Sequence, residues 1–236
     1  MQHKILIAGA GKGIGLELVK QMLATGNNIV MAVSRDISQL RILEEKVNIN
    51  SGSVSLIPVA LDFSKHDFTS VLDKVIRKYD FKPDIVIYNV GLLVNKPFAA
   101  FSHSDFDQMF DTNIKGAFRL FQFLLPHLAE GSHLLGITSM GAYQGSAKFP
   151  GLSLYSASKA ALAVLMECLA EELKDRGIRA NALALGAVQT EMLTQAFPGY
   201  KAPLSADEMA AFIADFAVKG SLFFNGKILP VSVSTP

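Results

Sequence analysis

The feature that most constrains the fold is a glycine-rich turn near the start of the chain. It reads Gly9-Ala10-Gly11-Lys12-Gly13-Ile14-Gly15, follows the apolar run Lys4–Ala8 and opens directly into Leu16–Val19. Glycine lets a backbone turn tightly and approach a pyrophosphate, and a helix that begins here presents its positive dipole end and free N–H groups to that anion. Between a first strand and a first helix, the turn predicts dinucleotide binding rather than a merely tight turn.

Short apolar runs alternate with helix-length stretches along almost the whole chain. The predicted strands are Lys4–Ala8, Asn28–Val33, Val54–Val59, Ile85–Tyr88, His133–Ile137, Arg179–Ala184 and Lys227–Val231. The predicted helices are Gly13–Ala24, Ser38–Val47, His66–Lys78, Asp107–Ala129, Leu154–Arg176 and Ala206–Val218. Most of the strands are apolar on both faces, as buried parallel strands are. This order predicts a doubly wound, mostly parallel seven-stranded α/β sheet with helices on both faces.

The chain shows no internal repeat, low-complexity tract or interdomain linker, so residues 1–236 are expected to form a single domain. Ser205 and Glu208 form a capping box at the start of the last predicted helix, and Gly177 follows the fifth helix as a C-cap would. The Gly- and Pro-rich stretches 141–151 and 197–203 are expected as loops at the carboxyl ends of the strands, where such a sheet binds its ligand.

Composition and charge exclude several classes of protein. The chain carries 22 Lys and Arg against 21 Asp and Glu without a basic cluster, which argues against a nucleic-acid partner. The apolar residues are spread over short runs, and none approaches the roughly 20 residues of a membrane span. The first residues leave no room for a signal peptide, and Cys168 is the only cysteine, so we expect a cytoplasmic protein. The histidines and Cys168 show no metal-ligand spacing, and no metal site is predicted.

The end of the second predicted strand bears on the choice of dinucleotide. An NAD site places an acid there on the ribose 2′-hydroxyl, but Ser34 occupies that position and Arg35 follows it. The Arg35 guanidinium, together with the Lys12 ammonium, could instead hold a 2′-phosphate. We therefore favour NADP(H), with NAD(H) as the second option. The alternative is that Arg35 is a solvated loop residue and that Asp36 or Ser38 caps the next helix.

Tyr155 and Lys159 are the strongest candidates for catalysis. They lie four residues apart at the start of a predicted helix, and therefore share one helix face. A phenol is a poor acid–base catalyst at neutral pH, and a nearby ammonium lowers its pKa. Upstream, the fifth strand ends in Ile137-Thr138-Ser139, which places a hydroxyl at the same carboxyl edge as the glycine turn.

Taken together, these residues resemble the short-chain dehydrogenase/reductase family in its single-domain, Rossmann-like form, over nearly the whole chain. The matching positions are Gly9, Gly13 and Gly15, Asn89 and Gly91 after the fourth strand, Asn113, Ser139, Tyr155, Lys159, and the segment from Asn181 through Gly186 to Thr190. The departures are Ala8, Tyr88, Val90, Leu185 and the C-terminal Leu229-Pro230-Val231-Ser232. The Ser139-to-Tyr155 interval is longer than is usual in the family, which predicts an insertion near residues 143–148.

The resemblance implies a role for each catalytic residue. Tyr155 would protonate the carbonyl oxygen as hydride leaves the nicotinamide, or remove the hydroxyl proton in oxidation, and Ser139 would hydrogen-bond the same oxygen. Lys159 would bind the ribose hydroxyls and lower the Tyr155 pKa, and Asn113 would hold a water between Lys159 and solvent. Because the family's helices at Asn113 and Tyr155 commonly pack against partner subunits, the resemblance also implies a homodimer or homotetramer.

The sequence therefore predicts a cytoplasmic NADP(H)-dependent oxidoreductase of the carbonyl reductase or alcohol dehydrogenase type, acting on a small molecule. The predicted cofactor contacts are Gly9, Gly11, Lys12, Gly13, Ile14, Gly15, Ser34, Arg35, Asp62, Phe63, Asn89, Gly91, Tyr155, Lys159, Gly186, Val188 and Thr190, although Asp62 could equally be an N-cap. A substrate lid is expected at 190–205, where Met192, Leu193, Phe197 and Tyr200 suggest an apolar pocket or simple core packing. The alternatives are a catalytically silent dinucleotide sensor or scaffold and, ranked last, an epimerase or dehydratase on a nucleotide-linked substrate.

Overall fold

A parallel sheet forms the centre of the computed structural model, which describes residues 2–24, 28–51, 54–65 and 67–233. The strands are β1 Lys4–Ala8, β2 Ile29–Ser34, β3 Leu56–Ala60, β4 Ile85–Tyr88, β5 His133–Ser139, β6 Arg179–Leu185, β7 Val188–Gln189, β8 Leu204–Ser205 and β9 Ile228–Val231. Seven of them form one sheet in the order β3-β2-β1-β4-β5-β6-β9, with every pairing parallel, and β7 pairs with β8 alone. The doubly wound fold class is confirmed, and the sheet is wholly rather than mostly parallel.

Helices cover both faces of the sheet. They are α1 Gly13–Ala24, α2 Ser38–Ser51, α3 Phe68–Tyr79, α4 His103–Phe110, α5 Gly116–Leu124, α6 Ser153–Glu172, α7 Glu191–Ala196 and α8 Ala206–Lys219. Side chains alternate across β1: Ile5 and Ile7 join the core under α1 and α8, whereas Leu6 joins the core under α3, α5 and α6. A strand between two helical layers must be apolar on both sides, which is why β1 shows no polar alternation.

The two edge strands of the sheet each contain a proline. Pro58 of β3 lies opposite Ala32 of β2, and Pro230 of β9 lies opposite Ala184 of β6. Proline cannot donate to a strand ladder and is therefore confined to such edge positions. The unusual C-terminal segment of this chain thus forms a regular edge strand.

The prediction of one helix over Asp107–Ala129 was wrong in its bounds and its regularity. The helix begins earlier, at α4, because Ser102 and Asp105 form a capping box. A π-helical turn over Asp111–Lys115 then separates α4 from α5, and the Tyr88 hydroxyl donates to the Thr112 carbonyl inside that turn at 2.6 Å. Such π-turns occur frequently at functional sites.

Other predicted bounds need smaller corrections. Helix α6 ends at Glu172, and the predicted stretch up to Arg176 is a 3-10 turn, closed by Gly177 at φ +67° as the predicted C-cap. The predicted start of the third helix, His66, lies outside the described residues, and α3 begins at Phe68. Strands β1 and β4 have their predicted bounds, the other predicted strands shift by one or two residues at their ends, and α2 runs past its predicted end at Val47 to Ser51. The capping box at the start of α8 is confirmed.

Helix α6 is long and apolar enough to cross a membrane, so the prediction that no stretch reaches this length was wrong here. Its residues Leu162, Ala163 and Met166 are buried in the core, and the helix packs on β5 and β6. A core helix between a sheet and the surface meets the same test of length and composition. Core packing accounts for the 33% of its apolar window that is buried.

Candidate active site

A cleft of about 480 Å³ opens at the carboxyl ends of the parallel strands. It runs from the β2 and β3 ends, past the glycine turn after β1, to the β5 and β6 ends and the helix α7. The strand order reverses between β1 and β4, and crevices at such switch points are where doubly wound sheets bind ligands. The cleft therefore lies where the fold predicts it.

The glycine turn forms one wall of the cleft with its backbone. Gly9 and Gly13 have φ of +83° and +53°, in the left-handed region that favours glycine. A Cβ atom on Gly11 would lie 2.3 Å from the Ser34 Oγ and 2.6 Å from the Asp36 carbonyl oxygen. Gly9, Gly11 and Gly13, the last of which begins α1, line the cleft, and glycines at a helix start fit a pyrophosphate.

Gly15 does not line the cleft, contrary to its prediction as a cofactor contact. A Cβ atom there would lie 1.9 Å from the Gly9 carbonyl oxygen and 2.8 Å from the Asn89 Nδ2. The Asn89 Nδ2 itself donates to that Gly9 carbonyl at 3.0 Å. Gly15 therefore allows the helix to pack closely behind the turn, and Asn89 ties the turn to the end of β4.

Arg35 and Asp62 mark the end of the cleft beside β2 and β3. Burial alone would raise the pKa of Asp62, but hydrogen bonds from Ser64 and the charges of Arg35 and Lys65 outweigh it and hold the pKa below its ordinary value. Arg35 is exposed and lines the cleft with Ser34. This end of the cleft therefore presents one guanidinium that is largely in solvent. Phe63 also lines it, although its ring is mostly buried.

Lys12 is engaged in a way that the sequence did not predict. Its Nζ lies 2.7 Å from the Glu191 Oε2, at the start of α7, and both side chains are about two-thirds exposed. Exposed ion pairs of this kind contribute little stability, typically 0–1 kcal/mol. The pair bridges the cleft from the glycine turn to α7, and an anion at the glycine turn would compete with Glu191 for Lys12.

Ser139, Tyr155 and Lys159 converge at the other end of the cleft. Ser139 ends β5, and the two other residues lie in the first turns of α6. Burial raises the pKa of Tyr155 to about 12, with a hydrogen bond to the Ser139 hydroxyl acting in the opposite direction. The sequence predicted a lowered pKa from the Lys159 charge, and this was wrong because burial of the phenol dominates.

Lys159 is almost fully buried, and its ammonium is held by the backbone. The Nζ donates to the Val90 and Ile137 carbonyls, both at 3.0 Å. Burial lowers the pKa of Lys159 to about 8. The Val90 carbonyl lies in the loop after β4 and the Ile137 carbonyl lies within β5, so the lysine joins this loop to the neighbouring strand.

Asn113 lies behind the cleft rather than in its lining. It is fully buried in the π-helical turn, its Oδ1 accepts from the Leu92 backbone at 2.7 Å, and its Nδ2 donates to the Leu92 carbonyl and the Ser158 hydroxyl, both at 2.9 Å. This reciprocal pairing fixes the loop after β4. Ser158 adjoins Lys159, so Asn113 also supports the helix that carries the catalytic residues.

Helix α7 and the loop after β5 cover the catalytic end with apolar side chains. We call Leu93, Phe149, Leu152, Met192, Leu193 and Phe197 the apolar wall; all six line the cleft. Tyr200 lines the cleft from a more exposed position. The lid residues predicted over 190–205 therefore face the cleft, which favours the pocket over simple core packing.

Comparison with known proteins identifies the family. Residues 3–201 match the family profile described as short chain dehydrogenase. The chain belongs to this family. An uncharacterized oxidoreductase of Listeria monocytogenes is 30% identical over 194 residues, which cover 80% of this chain and 75% of that protein.

Solved short chain dehydrogenase structures share the fold. One from Burkholderia cenocepacia, in complex with NADP, has a TM-score of 0.86 at 23% identity, covering 99% of this chain and 97% of that one. A 3-ketoacyl-(acyl-carrier-protein) reductase from Brucella melitensis, complexed with NADH, has a TM-score of 0.84 at 24% identity, covering 98% and 96%. At this identity the likeness confirms the fold of the short chain dehydrogenase and leaves its substrate open.

Most of the predicted site residues of this short chain dehydrogenase line one cleft. These are Gly9, Gly11, Lys12, Gly13, Ile14, Ser34, Arg35, Asp62, Phe63, Asn89, Gly91, Ser139, Tyr155, Lys159, Gly186, Val188 and Thr190. Sequence reasoning missed Phe149 and Leu93, and it missed the pairing of Glu191 with Lys12. The predicted insertion was the one available signal for Phe149, which follows it directly.

Proposed function

We propose that this short chain dehydrogenase is an NADP(H)-dependent oxidoreductase that transfers hydride between a nicotinamide and a carbonyl/alcohol pair. The observation that carries the proposal is the meeting of Ser139, Tyr155 and Lys159 in one cleft with the glycine turn. The turn offers backbone amides to a pyrophosphate, and the far end of the cleft offers hydroxyl groups to a substrate oxygen. The same cleft can therefore hold a dinucleotide and a carbonyl compound.

Tyr155 is the proposed general acid and base. With its pKa raised to about 12 the phenol is protonated at neutral pH, which is the form that donates a proton to a carbonyl oxygen. Ser139 is proposed to hydrogen-bond the same oxygen and stabilise its developing negative charge. When bound, a nicotinamide dinucleotide supplies the hydride, and the protein orients the reactants.

Lys159 and Asn113 are proposed to maintain the proton supply. The Lys159 Nζ lies beside Gly91, whose Cβ position is 3.3 Å away, and is proposed to bind the ribose hydroxyls. A pKa of about 8 places its titration near neutral pH, so Lys159 could pass a proton toward Tyr155. Asn113 is proposed to assist as a positioning residue, through its bonds to Leu92 and Ser158.

Arg35 supports the choice of NADP(H) over NAD(H). It is the exposed cation at the end of β2, and a guanidinium meets a phosphate with two parallel hydrogen bonds. Lys12 is proposed as the second cation for the 2′-phosphate. Binding of this phosphate is proposed to release Lys12 from its ion pair with Glu191. The Burkholderia cenocepacia protein was solved in complex with NADP and the Brucella melitensis enzyme with NADH, so both forms occur within this fold.

The proposal extends to the setting of the enzyme. Residues 1–236 are proposed to act as a single domain in the cytoplasm, on a small molecule, without nucleic-acid or membrane partners. A homodimer or homotetramer is proposed on the resemblance to the family. Exposed aromatic side chains at Phe106 and Phe118, on the helices before and after the π-turn, support a partner contact on that face. Sedimentation at micromolar concentration tests this assembly, and a monomer would contradict it.

Oxidation of NADPH, and in parallel NADH, tests the reaction across aldehydes, ketones, quinones and 3-oxo thioesters. We expect turnover that is lost in Tyr155→Phe and kept in Tyr79→Phe, a tyrosine far from the cleft. Removing a general acid typically costs about 10²–10⁴-fold. Full activity of Tyr155→Phe would refute the mechanism, and intact cofactor binding without turnover would favour the silent sensor.

The Arg35→Ala variant tests the choice of cofactor. We expect its KM for NADPH to rise by about tenfold or more, since a charged hydrogen bond contributes about 1.5–3 kcal/mol. The KM for NADH should change little in the same variant. Equal affinity for NADH and NADPH in the unaltered protein would contradict the assignment.

A further inference from the structure

Charge is distributed unevenly along the cleft. Of the described residues that line it, those with ionisable charge are Lys12, Arg35, Asp62, Lys159 and Glu191. Lys12, Arg35 and Asp62 lie toward the glycine turn and the β2 and β3 ends, and Glu191, at the start of α7, is paired with Lys12. Lys159 already donates to two backbone carbonyls. The catalytic end therefore offers a substrate the Ser139 and Tyr155 hydroxyls and the apolar wall, and its one charged lining residue within the described part of the chain, Lys159, is almost fully buried.

The segment after β5 presents Phe149 to this end of the cleft. Residues 143–148 form a turn that is held by its own hydrogen bonds: the Lys148 Nζ donates to the Tyr143 carbonyl at 2.6 Å and to the Ser146 hydroxyl at 2.9 Å. The Ser146 hydroxyl also donates to the Tyr143 carbonyl at 2.9 Å and to that of Met140. Lys148 therefore faces its own turn, and the cleft receives the neighbouring Phe149.

Asn95 connects the three segments that surround the apolar wall. Its Nδ2 donates to the Ala196 carbonyl at the end of α7, at 2.9 Å. Its Oδ1 lies 2.0 Å from the position of a Cβ atom on Gly151, which has φ +84°. The next backbone amide, that of Lys96, donates to the Gly151 carbonyl at 3.1 Å. The loop after β4, the turn before α6 and the lid are thus held together around the wall.

The apolar wall favours ligands of matching polarity and shape. A carboxylate or phosphate that entered it would lose its hydration, and the buried Lys159 ammonium is already bound to the Val90 and Ile137 carbonyls, so the entry of an anion is costly. A flat apolar ring would gain contact with Phe149, Phe197 and the thioether of Met192, because aromatic rings and sulfur pack well against a ring. We propose that the catalytic end takes a neutral carbonyl compound that bears an aromatic or alicyclic ring, and that Phe149 determines this specificity.

This inference rests on the proposed function, but it can be tested separately because binding and turnover are separate readouts. Two probes suffice: an aryl methyl ketone, and the same ketone with a carboxylate on the ring. Binding of each to the NADP⁺-loaded protein, which cannot reduce the ketone, is measured by saturation-transfer NMR titration, and kcat/KM is measured by NADPH oxidation. The variants are Phe149→Ala and Phe149→Arg. The control is Phe223→Arg, at an exposed aromatic residue outside the cleft.

We expect the neutral ketone to be preferred by about tenfold or more in both affinity and kcat/KM, since burial of an unpaired charge costs several kcal/mol. Phe149→Ala should raise KM for the neutral ketone about tenfold while kcat changes less. Phe149→Arg should abolish or reverse the preference, and Phe223→Arg should leave it unchanged.

Each outcome bears on one of the two proposals. Reduction with equal or greater preference for the carboxylated ketone would overturn the inference and leave the proposed function standing. Selective binding of the neutral ketone, reversed by Phe149→Arg but without turnover, would support the inference and contradict the proposed function. Failure of both ketones to bind, or a preference that ignores the Phe149 variants, would overturn the inference.

Discussion

Replacement of Tyr88 by Phe removes one buried hydroxyl next to the active site. The Tyr88 hydroxyl donates to the Thr112 carbonyl at 2.6 Å, and the residue is fully buried at the end of β4. The position of a Cβ atom on Gly116 lies 2.5 Å from the hydroxyl oxygen, so the surroundings are close-packed. A water molecule has little room to replace the lost donor, and the carbonyl remains unsatisfied in Tyr88→Phe.

The size of the effect follows from this geometry. A buried acceptor that loses its partner costs about 1–3 kcal/mol, whereas loss of the hydroxyl oxygen alone leaves a cavity smaller than a methyl group. The bonded carbonyl lies in the π-helical turn that carries Asn113. We therefore expect a loss of unfolding free energy of about 1–3 kcal/mol, and a lower kcat if the turn relaxes.

Urea unfolding followed by far-UV circular dichroism measures the loss, and a thermal scan should show Tm lower by about 2–4 °C per kcal/mol. The matched control is Tyr79→Phe, whose ring is half-buried at the end of α3 and whose hydroxyl makes no hydrogen bond within the described part of the chain. We expect a change below about 0.5 kcal/mol there. Equal stability of Tyr88→Phe and the unaltered protein would refute the reasoning.

Three further predictions concern the cleft and the core. Gly11→Ala should weaken NADPH binding at least about tenfold by calorimetry, because the new Cβ lies 2.3 Å from the Ser34 Oγ; unchanged affinity would contradict the close approach of the turn. Glu191→Gln should tighten NADPH binding a few-fold at low salt by releasing Lys12, and the gain should fade at high salt; weaker binding would contradict the competition. Burial lowers the pKa of His133 and outweighs the hydrogen bond with the Ala217 backbone, which raises it. Below about pH 6.5 the unfolded chain therefore binds more protons than the folded protein. Stability should then fall from pH 7 to pH 5.5, and this part of the fall should be missing in His133→Gln.

The parts of the molecule that were predictable from sequence are those whose residue pattern lies within one short segment of the chain. Strand β1, the glycine turn and α1 were predicted to the residue, because apolar character, glycine and helix period all occur within one short segment. Tyr155 and Lys159 could be placed on one helix face by their spacing. The strand that ends at Ser139 placed its hydroxyl at the same edge, because parallel strands end together.

The parts that were not predictable depend on contacts between distant segments. The break in the helix before α5 involves Tyr88, 24 residues from its acceptor, and the Lys12 pairing joins residues 179 apart. The raised pKa of Tyr155 comes from burial, which spacing along a helix does not report. Phe149 follows a turn that is held by side-chain hydrogen bonds. No sequence pattern signals a turn of this kind, so the position of Phe149 in the cleft was not predictable.

The prolines of the two edge strands restrict how the sheet can grow. In β9 the Val231 carbonyl accepts from Gly186 of the loop after β6, so the neighbouring Pro230 has its nitrogen on the outer side. Just after β3, the Leu61 amide donates to the Ser34 carbonyl of β2. Backbone groups alternate in direction along a strand, so the nitrogen of Pro58, three residues earlier, points away from β2. A strand from a second molecule that paired with either edge would therefore find no backbone N–H donor at the proline. A continuous intermolecular sheet, the arrangement that leads to fibres, is therefore disfavoured at both edges of the seven-stranded sheet.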